Sequence, residues 1–169
     1  MPAIYMRDMK EELRRVGDVV FKGRHRSPAL VVVGRAAELV GENPGLDKTM
    51  VADPSDETGH EFALIDRVFD ISKAPNTSRG PVILGRSDGT DITIPEFSIS
   101  KRHCFFEFEA TGIKLTDCGS TNGTLVADRR LASGESMLLR DGIRVSIGRF
   151  AFVFHTASGF HAFVKSLLT

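Results

Sequence analysis

CFFEFEATGIKLTDCGSTNGTLV, residues 104–126, decides the fold. Two apolar runs with period-two alternation, CFFEFEA and GIKLTD, are separated by a turn signal. A glycine-, serine- and asparagine-rich reversal and a third run, TLVAD, follow. Alternation marks a strand with one face in a core, and closely spaced turns mark antiparallel neighbours. The same pattern extends outward through FALIDRVFDI, PVILG and TDITI before it and ESMLL, IRVSIG and FAFVFH after it. So many short strands predict a mostly β chain folded as a two-sheet sandwich.

The flanks read differently. From Tyr5 to about Val20 the apolar residues Met6, Met9, Leu13, Val16 and Val20 recur at steps of three and four, the spacing of an amphipathic helix. Ser27 and Pro28 then suit an N-cap and first turn for a second helix over ALVVVGRAAELV, ended by Gly41. Three consecutive valines make a strand over Ala29 to Val33 the rival reading. SGFHAFVKSLLT at the end predicts a short C-terminal helix behind a Ser158 cap, covering an edge or end of the sandwich. The expected division is a helical N-terminal extension at 1–43, a flexible linker at 44–60, the sandwich at 61–157 and the C-terminal helix at 158–169.

Composition narrows the function classes. The 169 residues suit one domain with an appendage, and 22 Lys+Arg against 22 Asp+Glu give a formal net charge of +0. No global field draws such a chain to nucleic acid or an anionic membrane, so an anion site has to be local. Two cysteines, Cys104 and Cys118, make neither a disulfide framework nor a zinc site. Cys118 is expected to fill core space. No signal peptide or membrane span is readable, and the expectation is a cytoplasmic protein. Nucleotide loops, metal-binding helices and nucleophile elbows are absent from the sequence, and adjacent His103 and Cys104 would face opposite sides of a strand. A non-enzyme without cofactor or metal is expected.

Three motifs lie at strand ends: Gly85-Arg86, Ser100-Lys101-Arg102-His103, and Gly119-Ser120-Thr121-Asn122-Gly123-Thr124. Loops from one end of a sandwich gather into one patch although distant in sequence. In this order, between these strands, the motifs resemble those of the forkhead-associated (FHA) family over about Glu61 to His155. The resemblance implies a phosphothreonine-dependent protein-binding module, a reader or adaptor in a Ser/Thr kinase pathway whose partner is a phosphothreonine-containing protein or peptide.

It also implies roles. Arg86 would supply the planar, always-charged fork that a phosphate dianion favours. Ser100, Lys101 and Thr121 would donate to the phosphate, and Asn122 would hold the main chain of the bound peptide. Gly85, His103, Gly119 and Gly123 would support the site, His103 by bracing the loops. Specificity beyond the phosphate would fall to the loops around Ser98 and around Arg129 and Arg130. The γ-methyl of threonine would fill a small notch, worth about 1 kcal/mol over serine. Each residue also has a plainer reading: Arg86 as a surface arginine, Ser100 as a turn cap, Asn122-Gly123 as a hairpin turn.

Two further expectations concern the flanks. Thr49, in a polar stretch that a kinase could reach, is a candidate phosphosite that would fold back onto Arg86. The N-terminal helices either extend the core or mediate self-association, and a phospho-independent scaffold acting through them is the alternative function.

Overall fold

The computed structural model describes residues 3–36 and 64–169; the expected linker at 44–60, with Thr49, lies outside them. Among the described residues eleven strands form two sheets. The first sheet contains β1 (Ala29–Arg35), β2 (Val68–Asp70), β7 (Thr124–Val126), β8 (Arg129–Arg130), β10 (Arg144–Ile147) and β11 (Phe150–His155), in the order β2-β1-β11-β10-β7-β8. The second contains β3 (Val82–Gly85), β4 (Ile92–Thr93), β5 (Cys104–Glu109), β6 (Gly112–Asp117) and β9 (Ser136–Leu138), in the order β4-β3-β5-β6-β9. Pairing is antiparallel except between β3 and β4. The run that decided the fold pairs as a hairpin, with Cys104 opposite Asp117 and Glu109 opposite Gly112.

Between the sheets lies a core that includes Leu84, Phe106, Leu115, Ile147 and Phe152, each at most 1% exposed. Burying one such side chain stabilises the fold by about 1.5–3 kcal/mol. A second apolar cluster lies on the outer face of the six-stranded sheet. There Met6, Met9, Leu13 and Phe21 of α1 (Met6–Arg24) and Phe160 and Val164 of α2 (Ala157–Ser166) pack with Ala29, Val31 and Val68.

Where the second N-terminal helix was expected, Ala29–Arg35 is a strand, and the rest of that expected helix, with Gly41, lies outside the described residues. β1 pairs with both β2 and β11, sending Leu30 and Val32 into the inter-sheet core and Ala29 and Val31 under the helices. A strand buried on both faces loses its alternation and reads as a continuous apolar run, which periodicity alone cannot separate from a buried helix. The sheet therefore takes in residues well before the expected start at 61.

The helices also depart from expectation in detail. Gly17, at φ 79° and ψ 168°, breaks α1 and resets its phase. Phe21 therefore becomes fully buried, while Val20, expected on the apolar face, is 45% exposed. α2 starts one residue before Ser158, and its cap is Thr156, whose hydroxyl oxygen accepts from the Gly159 amide at 3.1 Å. It lies on a sheet face beside α1 rather than at an edge or end, because its Phe160 and Val164 complete the outer cluster. Among the described residues no helix is long and apolar enough to cross a membrane.

Candidate functional site

β3 ends at Gly85, and the backbone of the next loop lies directly on it. A Cβ at Gly85 would come within 2.2 Å of the Lys101 carbonyl oxygen, so only glycine permits the approach. Arg86 follows on the exposed surface. Its amide donates to the Ser100 carbonyl at 3.0 Å and its Nε to the Ile99 carbonyl at 3.0 Å. That bond holds the guanidinium over the 99–100 backbone while the terminal nitrogens have no hydrogen-bond partner among the described residues.

Asp91 fixes the loop on the other side of β3. Its side chain is 1% exposed and accepts from the amides of Ala74 (2.9 Å) and Ile83 (2.8 Å), from the Thr77 hydroxyl and from Lys73 Nζ (2.8 Å). Burial alone would raise its pKa, but these donors outweigh it and bring the carboxyl down to about 2.

The glycine-rich loop after β6 is organised by Asp117. Its carboxylate accepts from the amides of Gly119 (2.7 Å) and Ser120 (3.0 Å) and from the hydroxyls of Ser120 (2.6 Å) and Thr124 (2.7 Å). Against the upward push of burial, these donors hold its pKa below the usual value. Gly119 (φ 78°) and Gly123 (φ 91°) supply the left-handed turns. The Thr121 amide then donates to Ser100 Oγ at 3.0 Å, bringing two motifs 21 residues apart into contact.

His103 is fully buried beneath this junction. The Ser100 amide donates to its Nδ1 at 3.1 Å, so its proton sits on Nε2, which donates to the Gly123 carbonyl at 2.9 Å. Burial lowers its pKa, which favours the neutral ring those bonds require. Cys118 is not a core residue: it sits in the turn after β6 and is exposed, its amide tied to the His103 carbonyl at 3.0 Å.

Ser98 takes a different place from the one expected of a specificity residue. It is 1% exposed, and its hydroxyl points inward between the Glu96 carboxylate and the Arg149 amide. The main-chain carbonyl of Ser98 accepts from Asn122 Nδ2 at 2.9 Å. Glu96 and Arg149, neither visible as site residues in the sequence, form an ion pair of 2.7 Å under the loop. Arg129 is held by Glu135, whereas the exposed Arg130 lays its guanidinium across Gly123, within 2.6 Å of where a Cβ would be.

Together these residues frame a hollow of about 140 Å³ lined by Arg86, Phe97, Ser98, Ile99, Ser100, Thr121 and Asn122. Lys101 stands exposed beside it. The lining holds one arginine with free donors, neutral hydroxyl and amide groups and no carboxylate, a set of groups chemically suited to an anion on a chain of net charge +0. Among the described residues no cluster of His, Cys, Asp and Glu is arranged to hold a metal.

The model of the FHA domain matches residues 82–148, which contain every residue of the hollow. The glycogen accumulation regulator GarA of Mycolicibacterium smegmatis is 36% identical over 72 residues, 43% of this chain and 44% of the relative. The chain therefore spans less than half the length of that relative. An oxoglutarate dehydrogenase inhibitor of Corynebacterium efficiens is 27% identical over 124 residues, covering 70% of this chain and 82% of its own. The solution structure of an FHA domain from a hypothetical protein of Arabidopsis thaliana superposes with a TM-score of 0.50 at 22% identity, covering 78% of this chain and 86% of the other. Two sheets, convergent loops and the matched segment lead to one assignment: the chain carries an FHA domain.

Proposed function

We propose that the chain is a phosphothreonine-dependent protein-binding module, a reader or adaptor in Ser/Thr kinase signalling. The observation that carries this reading is Arg86, whose guanidinium is anchored through Nε while its terminal nitrogens remain available beside the Ser100 and Thr121 hydroxyls. Those groups match a dianion with three acceptor oxygens. Lys101 adds charge at the rim, and Asn122 orders the main chain of the peptide. Gly85, His103, Gly119 and Gly123 support the loops that carry these groups. Arg130, unlike Arg129, has no acidic partner among the described residues, and it is the cation proposed to read an acidic residue of the ligand near the phosphothreonine.

Relatives named as a regulator and an inhibitor fit a binding module better than an enzyme. The alternative, a phospho-independent scaffold acting through the N-terminal helix, is less favoured because the apolar face of α1 is already buried against α2 and β1. The binding unit proposed here runs from α1 to α2, since a start at residue 61 would strip β11 of its β1 neighbour. The setting proposed is the cytoplasm, where kinases act.

Fluorescence anisotropy with a degenerate phosphothreonine peptide library tests the reading, set against matched threonine and phosphoserine libraries, for the wild type and Arg86→Ala. Binding confined to phosphothreonine and abolished by Arg86→Ala is expected. Equal binding across the three libraries would overturn it. Affinity should also fall as pH drops through about 6, where the phosphate dianion takes up a proton.

A further inference from the structure

Beneath the hollow, three loops are joined by one buried polar chain. Arg149, in the turn between β10 and β11, pairs with Glu96 at 2.7 Å, their side chains 13% and 2% exposed. The other carboxylate oxygen of Glu96 accepts from the Ser98 amide at 2.9 Å and from the Ser98 hydroxyl. Ser98 Oγ accepts in turn from the Arg149 amide at 3.0 Å, which closes a ring of contacts. From this ring the Ser98 carbonyl reaches out to Asn122 Nδ2. The Arg149 guanidinium also lies 4.3 Å from the centre of the Phe97 ring, and Phe97 is one wall of the hollow.

The turn that brings Arg149 in is shaped for this contact. Gly148 has φ 58°, and a Cβ there would meet Ser98 Oγ at 2.5 Å and the Ser98 carbonyl oxygen at 2.7 Å. Its amide donates to the Gly123 carbonyl at 3.3 Å, the same oxygen that His103 holds. A buried ion pair is weak evidence of net stability, because desolvation offsets much of its Coulomb energy. Here, however, the Glu96 carboxylate and the Arg149 amide are both bonded to Ser98, so the position of the pair bears on that residue.

We propose that Arg149 and Glu96 are positioning residues of the binding site, which set Asn122 and Phe97 through Ser98 and so govern how the site holds the peptide on either side of the phosphothreonine. The phosphate itself is held by Arg86, Ser100 and Thr121, which have no bond to the pair. This inference rests on the phosphopeptide reading. It separates two parts of the site: one for the charge, one for the chain that carries it.

The test uses the full chain, with Glu96→Gln/Arg149→Met, which removes both charges of the pair together, and the conservative Arg149→Lys. Two ligands are titrated: a phosphothreonine peptide selected from the library and N-acetyl-phosphothreonine-N-methylamide, which has the phosphate without the flanking chain. The double variant should lose about tenfold in peptide affinity, the scale of coupling between groups in one network. Its affinity for the small ligand should stay within about twofold, and Arg149→Lys should fall between wild type and the double variant. In an Asn122→Ala background the same double substitution should cost the peptide less than it does in the wild type, because the Asn122 path has been cut while the Phe97 contact remains.

Equal losses for both ligands would mean general loosening and would overturn the proposal, as would no loss for either. The side-chain amide resonances of Asn122 in the ligand-free protein give a readout that needs no ligand. They should move or broaden in the double variant, and unchanged resonances would overturn the positioning role. A wild type that binds neither ligand, with Asn122 resonances that still respond, would overturn the phosphopeptide reading and leave the coupling itself supported.

Discussion

His103 Nε2 donates to the main-chain carbonyl of Gly123 across 2.9 Å, from a ring with no exposed surface. The bond ties the strand after the Ser100 loop to the loop that carries Asn122. Since the Ser100 amide occupies Nδ1, a second proton on the ring would break that contact.

Acid should therefore weaken the domain through His103. Burial depresses its pKa in the folded chain below the ordinary 6.5, and His155 is depressed by the same cause. The unfolded chain then binds more protons below pH 6.5, so the stabilisation is complete above that value and is lost as pH falls toward the folded pKa. Urea unfolding of the ligand-free protein between pH 7.5 and 5 should show it, with a shallower slope for His103→Gln. Omitting the ligand keeps the phosphate titration out of the measurement.

Asp91→Asn should destabilise by about 2–3 kcal/mol, because the donors around a buried carboxylate lose their charged acceptor. The difference from wild type should depend on pH in a defined window. With a folded pKa of about 2 against an ordinary 3.8, the advantage of Asp91 is complete above 3.8 and declines as pH falls through 2. Chemical unfolding of both proteins from pH 6 to 2 checks it, and a constant gap over that range would contradict the assignment.

Gly85→Ala should displace the Ser100 to Arg102 backbone, since the new methyl carbon would sit 2.2 Å from the Lys101 carbonyl oxygen. A cost of about 1–3 kcal/mol is expected, typical of overpacking. Phosphopeptide binding should fall along with stability, because the Arg86 Nε bond depends on the same backbone. Thermal unfolding and anisotropy on one sample report both.

The β7–β8 hairpin turns through Ala127 (φ 47°) and Asp128 (φ 67°), two left-handed residues where Asn-Gly would be at ease. Replacing the pair by Asn-Gly should stabilise the domain by about 1 kcal/mol. Because Asp128 also pairs with Arg144, part of that gain will be offset. A lower midpoint of denaturation would show that the hairpin is not limited by its turn.

That hairpin shows where the sequence stops being legible. Ala127-Asp128 carries no hairpin signal, so Arg129 and Arg130 read as loop although they form β8. Ala29 to Arg35 failed for a different reason: a strand covered on both faces shows no period, and its partner β11 lies more than a hundred residues on. The hairpin strands β5 and β6 of the second sheet, by contrast, were readable from their alternation, because buried and less buried residues alternate along them.

The sequence by itself determined the sandwich, the amphipathic start of α1 and the three motifs, since alternation, helical spacing and turn chemistry act over a few residues. Tertiary structure alone decided that Ser98 turns inward, that Arg129 is spent on Glu135 while Arg130 is not, and that Glu96 meets Arg149. Ser98 and Arg149 are 51 residues apart in the chain. Contacts of that kind exist only once two loops have been brought to the same end of the sandwich, and local pattern does not encode which polar groups will meet there.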